Sequence, residues 1–164
     1  MTAYKTAIKE GFNTIREIRQ QPDMWLLEYK LIAQNRNSIE TFFTNNLVSK
    51  DSEIILTGAG TSAFIGETLC FYLPSKGYKN CKAVPTTDLI THPASFFNTE
   101  SEIILVSFAR SGNSPESLAA IELANNVCKK VVHIIITCNE RGELAQRAKA
   151  TNSLLILLPP ETND

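Results

Sequence analysis

Five short apolar runs, separated by stretches of helical pattern, constrain the fold of this chain more than any other feature. They are Glu53–Thr57 (EIILT), Cys81–Pro85 (CKAVP, the weakest), Ile103–Phe108 (IILVSF), Val131–Thr137 (VVHIIIT) and Ser153–Leu158 (SLLILL). Runs that are apolar without alternation predict strands buried on both faces, which is the mark of a parallel sheet covered by helices. Helices are predicted after the first run, over Pro115–Val127, and near Glu143–Ala150. With right-handed crossovers this becomes a three-layer α/β/α sandwich, and its functional loops fall at the carboxyl ends of the strands.

The first fifty residues read differently. Tyr4, Ala7, Ile8, Phe12, Ile15 and Ile18 recur at helical steps, and Pro22 is expected to end that helix. A second helix is predicted from about Met24 to Phe43, with Trp25, Tyr29, Ile32, Arg36, Ile39 and Phe43 on one stripe. Such a stripe suits a core or a homodimer contact. Residues 45–52 form a polar connection. The chain thus divides into a helical segment, 1–50, and an α/β domain, 51–164.

Composition narrows the partners. A formal net charge of -1, with Lys and Arg scattered, argues against nucleic-acid or anionic-membrane binding. No apolar run approaches the roughly 20 residues of a membrane span, and the N-terminus lacks a signal-peptide pattern. The four cysteines (Cys70, Cys81, Cys128, Cys138) have no CxxC or neighbouring His, so they are expected to be small buried hydrophobes of a cytoplasmic protein without a metal site.

Two strand-to-helix loops are candidates for chemistry. In Thr57-Gly58-Ala59-Gly60-Thr61-Ser62, the glycines permit a close backbone approach, and Thr61 or Ser62 is expected to cap the next helix. A dinucleotide fingerprint would need Gly where Ala63 stands, and the only acidic residue for the ribose is Asp88, so no cofactor is expected. In Ala109-Arg110-Ser111-Gly112-Asn113-Ser114-Pro115-Glu116-Ser117, the residues Ser114, Pro115 and Glu116 read as N-cap, N1 and N2 of a helix. That leaves Ser111, Gly112 and Asn113 free to bond something outside the chain. Hydroxyls and backbone N–H groups at two adjacent helix N-termini suit a phosphate dianion without lysines.

The segments GAGTSAFIGE and SFARSGNSPES resemble the two signature segments of the sugar isomerase (SIS) domain, and REIRQQPDMW resembles the segment preceding such domains in amino-sugar phosphate enzymes. With the terminal LPPETND, the chain is most similar to the galactosamine-6-phosphate deaminase and tagatose-6-phosphate ketose/aldose isomerase branch. The resemblance implies that Ser111 and Ser114 hold the phosphate with the backbone of Gly112 and Asn113, and that Ser62, with Thr61, contacts the sugar or the phosphate from the first loop; Gly60 and Arg110 are further substrate-binding candidates, Arg110 being either a phosphate partner or a solvated loop charge. It implies a carboxylate for proton transfer after the fifth strand, Glu161 first and Asp164 second. His92 is a further candidate, for ring opening. The family often carries Ser where this chain has Ala109. The family also continues into a second SIS domain, so this chain is expected to be the N-terminal part of a protein about twice its length.

Three alternatives stand beside these readings. An SIS module can serve as the non-catalytic sugar-phosphate sensor of a regulator, but residues 1–50 show no recognition-helix pattern. His133, inside an apolar run, is expected to be a satisfied core histidine. Asp88, with Thr86 and Thr87, is expected to cap a turn rather than touch sugar hydroxyls.

Overall fold

A computed structural model describes residues 2–46 and 48–163, and the side chains of 13–46 and 48–162. Strands β1 (Glu53–Gly58), β2 (Cys81–Ala83), β3 (Glu102–Ala109), β4 (Lys130–Thr137) and β5 (Leu154–Leu157) form one sheet in the order β2-β1-β3-β4-β5. Every pairing is parallel. Each predicted strand is present, with ends moved by one or two residues. The largest change is in β2, which stops before Val84 because Pro85 starts the next helix.

The helices following the strands are α3 (Ala63–Tyr72), α4 (Thr86–Thr91), α5 (Pro115–Val127) and α6 (Glu143–Ala150). Alternate residues of each strand face opposite layers. Ile55, Leu105 and Ile135 pack with Leu89, Ala120, Ile121, Ala124 and Leu144 beneath α4, α5 and α6. Ile54, Leu56, Ile104 and Val106 face the other way, against Leu69, Cys70 and Leu73 and against Phe42 and Phe43. The fold is therefore the expected three-layer sandwich.

The N-terminal helices depart from expectation. A single helix, α1 (Thr2–Gln34), runs straight past Pro22, and the break comes at Asn35, before α2 (Arg36–Asn45). Proline removes the bond to the carbonyl four residues earlier, here that of Ile18, but Ile18 is 58% exposed and water can take up that carbonyl. Asn35 breaks the helix because its Nδ2 donates to Leu31 O at 2.8 Å, in competition with its own N–H at 3.1 Å. Of the aromatic stripe, Ile39 and Phe43 are half-buried, whereas Trp25 and Tyr29 are 64% and 73% exposed and are not core in this chain. Arg36 pairs with Glu40 at 2.7 Å. Among the described residues, no helix is long and apolar enough to cross a membrane.

Candidate functional site

The chain enters the sheet at an interior strand. β1 is flanked by β2 on one side and β3 on the other, so the crossovers leaving β1 and β3 go to opposite faces. A crevice opens at such a switch point, outside the carboxyl ends of the strands. Gly58 and Phe108 are in register there, which sets the two candidate loops side by side.

After β1, Gly60 adopts φ 56° and a 3-10 turn, Gly60–Ser62, runs directly into α3. Neither Thr61 nor Ser62 caps that helix, contrary to expectation. Ser62 already has helical angles (φ -65°, ψ -21°), whereas a capping side chain requires an extended residue. Both hydroxyls consequently lack a hydrogen-bond partner among the described residues and remain available to a ligand.

After β3, the caps form as read from the sequence. Ser114 is extended (φ -67°, ψ 129°), and its Oγ accepts from Ser117 N at 3.4 Å and donates to Ser117 Oγ at 2.6 Å. Asn113 is a correction. Its side chain does not reach outward, because Oδ1 accepts the N–H of Glu143 at 2.9 Å and so ties the loop to the start of α6. Its own N–H leans on Ser111 Oγ at 3.3 Å. Gly112 sits at φ 67°, a left-handed conformation that a side chain would strain.

Gly60, Thr61, Ser62, Arg110, Ser111, Gly112 and Ser114 line one cavity of about 320 Å³, together with Ala59, Phe108 and Ser117. Buried Ser117 was missed in the sequence reading, although its three-residue spacing from Ser114 is a capping signal. Arg110 is exposed, has no ion pair among the described residues, and borders two further hollows. One of these, about 280 Å³, is lined by Ile65, Ile136, Cys138, Leu158 and Thr162. The other, about 370 Å³, lies against α1 at Gln20, Gln21, Met24 and Trp25.

The catalytic candidates are not gathered in this cavity. Glu161 is exposed on a 3-10 turn, Pro160–Asn163, beside the rim, where its main-chain oxygen accepts from Gln20 Nε2 at 3.3 Å. Asp164 lies outside the described residues. His92 is exposed at the end of α4, its Nδ1 2.9 Å from Thr91 Oγ1, away from the cavity wall. His133 is buried, with Nε2 2.8 Å from Asn125 Oδ1 and Nδ1 unpartnered, and burial pushes it down to about 4, so it is neutral. It is a core histidine satisfied at one nitrogen only.

Asp88 caps nothing, since the residue preceding α4 is Pro85 and no side-chain cap forms. Thr86 Oγ1 is buried without a partner. All four cysteines are half-buried rather than buried. Cys70 and Cys81 bring their sulfurs within 3.2 Å, and burial, then the bond to Cys70, raises Cys81 to about 12. Among the described residues, no three His, Cys, Asp or Glu side chains form a group that could hold a metal.

Comparison with known proteins gives the same outline. The SIS domain family matches residues 47–163. The D-galactosamine-6-phosphate deaminase AgaS of Escherichia coli is 46% identical over 159 residues, covering 96% of this chain and 41% of that protein. The protein of the same name from a Shewanella species is 40% identical over 158 residues, covering 94% and 41%. The crystal structure of tagatose-6-phosphate ketose/aldose isomerase from Escherichia coli superimposes with a TM-score of 0.85 at 47% identity, covering 91% of this chain and 40% of that one. The chain therefore spans about two-fifths of the length of the relatives it matches.

Proposed function

The chain belongs to the SIS domain family, and from that premise we propose that its crevice holds the phosphate of a sugar phosphate or amino-sugar phosphate. The observation that carries this reading is the single cavity shared by the β1 and β3 turns, with unpartnered hydroxyls on Thr61 and Ser62 and the α5 N-terminus behind Ser114. In this reading Ser111, Ser114, whose proton turns from Ser117 Oγ to the ligand, and the N–H groups of Gly112 and Asn113 grip the dianion. Arg110 supplies the one full positive charge at the wall.

At the length of its relatives, the protein would convert galactosamine 6-phosphate to tagatose 6-phosphate and ammonia, or perform the related aldose/ketose isomerisation. The sugar ring opens, a proton leaves C2 to give an enolamine, and a proton returns to C1. Water then attacks the C2 imine and ammonia departs. Holding the phosphate orients the reacting carbons, and one carboxylate moves the proton. Glu161 is the first choice for that role, on the turn that Gln20 of α1 touches, with Asp164 and His92 behind it. The division into a helical segment, 1–50, and an SIS domain, 51–164, belongs to the same proposal, and the expected homodimer would use the exposed Trp25 and Tyr29 face. The regulator reading gains no support, since the relatives reported above carry enzyme names.

Titration calorimetry with galactosamine 6-phosphate and with galactosamine tests the reading. Binding should require the phosphate. Ser111→Ala should weaken it about tenfold, the worth of one hydrogen bond to a charged group. Ser114→Ala should weaken it too, but at some cost to the α5 cap. Equal affinity for the two sugars, or unchanged affinity in Ser111→Ala, refutes the assignment. Ammonia release by the protein at its relatives' length tests the chemistry separately.

A further inference from the structure

The peptide units of the second loop are oriented from behind, by residues that do not line the cavity. Three consecutive carbonyls are held by the last residue of β4 and the segment that follows it. Thr137 Oγ1 donates to Arg110 O at 3.2 Å, Asn139 Nδ2 donates to Ser111 O at 2.8 Å, and the Leu144 N–H donates to Gly112 O at 3.0 Å. Across a planar trans peptide, the C=O of one residue and the N–H of the next point in opposite directions. Anchoring the carbonyls of 110, 111 and 112 toward β4 and α6 therefore turns the N–H groups of Ser111, Gly112 and Asn113 the other way, toward the cavity that Ser111, Gly112 and Ser114 line, where the Asn113 N–H meets the Ser111 hydroxyl at 3.3 Å. Successive N–H groups around a left-handed residue, here Gly112, form an anion-binding concavity.

The direction of both side-chain donors is fixed. Thr137 Oγ1 accepts the Asn139 N–H at 3.2 Å, so its one proton is left for Arg110 O. Asn139 Oδ1 accepts the Arg141 N–H at 3.0 Å, which commits the amide nitrogen to Ser111 O. A peptide released from either bond can turn its oxygen into the cavity, replacing a donor with a repelling acceptor.

We propose that Thr137 and Asn139 are positioning residues for anion recognition, holding the β3–α5 loop with its carbonyls outward and its N–H groups inward. This inference rests on the phosphate reading above.

Inorganic phosphate and galactosamine 6-phosphate are the probes, with affinity read by calorimetry and the Ser111, Gly112 and Asn113 amides read by ¹H–¹⁵N NMR. In the unmodified chain, phosphate should move all three amide signals. Thr137→Val, which removes the donor to Arg110 O together with the acceptor of the Asn139 N–H, and Asn139→Ala should each bind about tenfold more weakly and lose the shifts. Thr137→Ser should restore both. Asn139→Asp keeps the acceptor for the Arg141 N–H but faces Ser111 O with a carboxylate oxygen in place of the donor, so it should lose the amide shifts as Asn139→Ala does. Asn139 is half-buried, and its variants decide the question even where the buried Thr137→Val fails to fold. An unmodified chain that binds neither probe overturns the phosphate reading and this inference with it. Tight binding by Asn139→Ala, with its amide shifts intact, overturns the positioning role alone.

Discussion

Gly142→Ala tests how closely the β4–α6 turn is packed against the β3–α5 loop proposed to hold the phosphate. Gly142 has φ -64° and ψ 148°, angles open to any residue, so the substitution strains no backbone. Space is the only obstacle. An added Cβ would meet the Ser111 carbonyl oxygen well inside van der Waals contact, and would stand 3.2 Å from both Asn139 O and Gly112 Cα. All three neighbours are backbone, so no side chain can swing aside, and the two turns must part by up to about 1 Å to reach normal separation. Overpacking of this kind costs about 1–3 kcal/mol. Alanine returns about 0.4–1 kcal/mol by restricting the unfolded chain. The net loss is about 1–2 kcal/mol, a fall in Tm of roughly 2–8 °C for a domain of this size. The same displacement stretches the bonds from Asn139 to Ser111 O and from Glu143 N to Asn113 Oδ1, and phosphate affinity should fall about tenfold or more. Urea unfolding and phosphate calorimetry on one preparation provide both readings. A Gly142→Ala protein that melts and binds like its parent would refute the contact between the turns, and with it the buttressing of the loop.

Two further outcomes follow from groups shielded from water. His133, held near 4 in the fold, is neutral there, while the unfolded chain takes up a proton as pH falls below about 6.5. Stability from this residue is therefore complete above that value and is lost on acidification, by about 2 kcal/mol at pH 5 and about 3 kcal/mol at pH 4. His133→Gln should flatten the stability slope between pH 7 and 5 in urea melts, and an unchanged slope would count against the burial argument. Cys81, raised from 9.0 to about 12, carries roughly a thousandfold less thiolate than an unperturbed cysteine. Peptide mapping after iodoacetamide treatment at pH 8 should show it unmodified in the folded chain and modified in urea; equal rates in the two states would contradict the placement of Cys81 beside Cys70.

The strands were legible because burial on both faces leaves no polar alternation, so EIILT and IILVSF announce themselves without knowledge of their neighbours. Helix α5 was legible to the residue because Ser114, Pro115 and Glu116 carry a local start signal that tertiary contacts did not override. The helical segment was misread for the opposite reason. Pro22 is a strong breaker by propensity, but its cost depends on whether the carbonyl it orphans can reach water, and exposure is not written in the residues themselves. Ser62 was misread as a cap because the 3-10 turn before it extends the helix backward. In the site, both loops were recognisable from composition. The roles of Asn113, Thr137, Asn139 and Gly142 were not, because each acts on a segment about thirty residues away.

The dianion site proposed for this chain of net charge -1 would obtain its attraction from geometry, and the topology offers it in two steps. Because β1 and β3 are neighbours whose crossovers leave toward opposite layers, α3 packs on Leu56 and Ile54 while α5 packs beneath Ile55 and Leu105. The turns that start those helices diverge, and the space between them is not filled by either helix. A gap lined by loosely held peptides would present carbonyls as readily as N–H groups, with no preference for an anion. The adjacent strand removes that ambiguity. β4 pairs with β3 along its whole length, Ala109 opposite Thr137, so the turn after β4 is carried against the back of the β3 loop and claims its carbonyls one after another. The third turn on this rim thus acts as a buttress rather than a third ligand-binding loop. In the proposed reading, selectivity for an anion is a property of three adjacent strands, and a substitution behind the loop should affect it as surely as one inside the cavity.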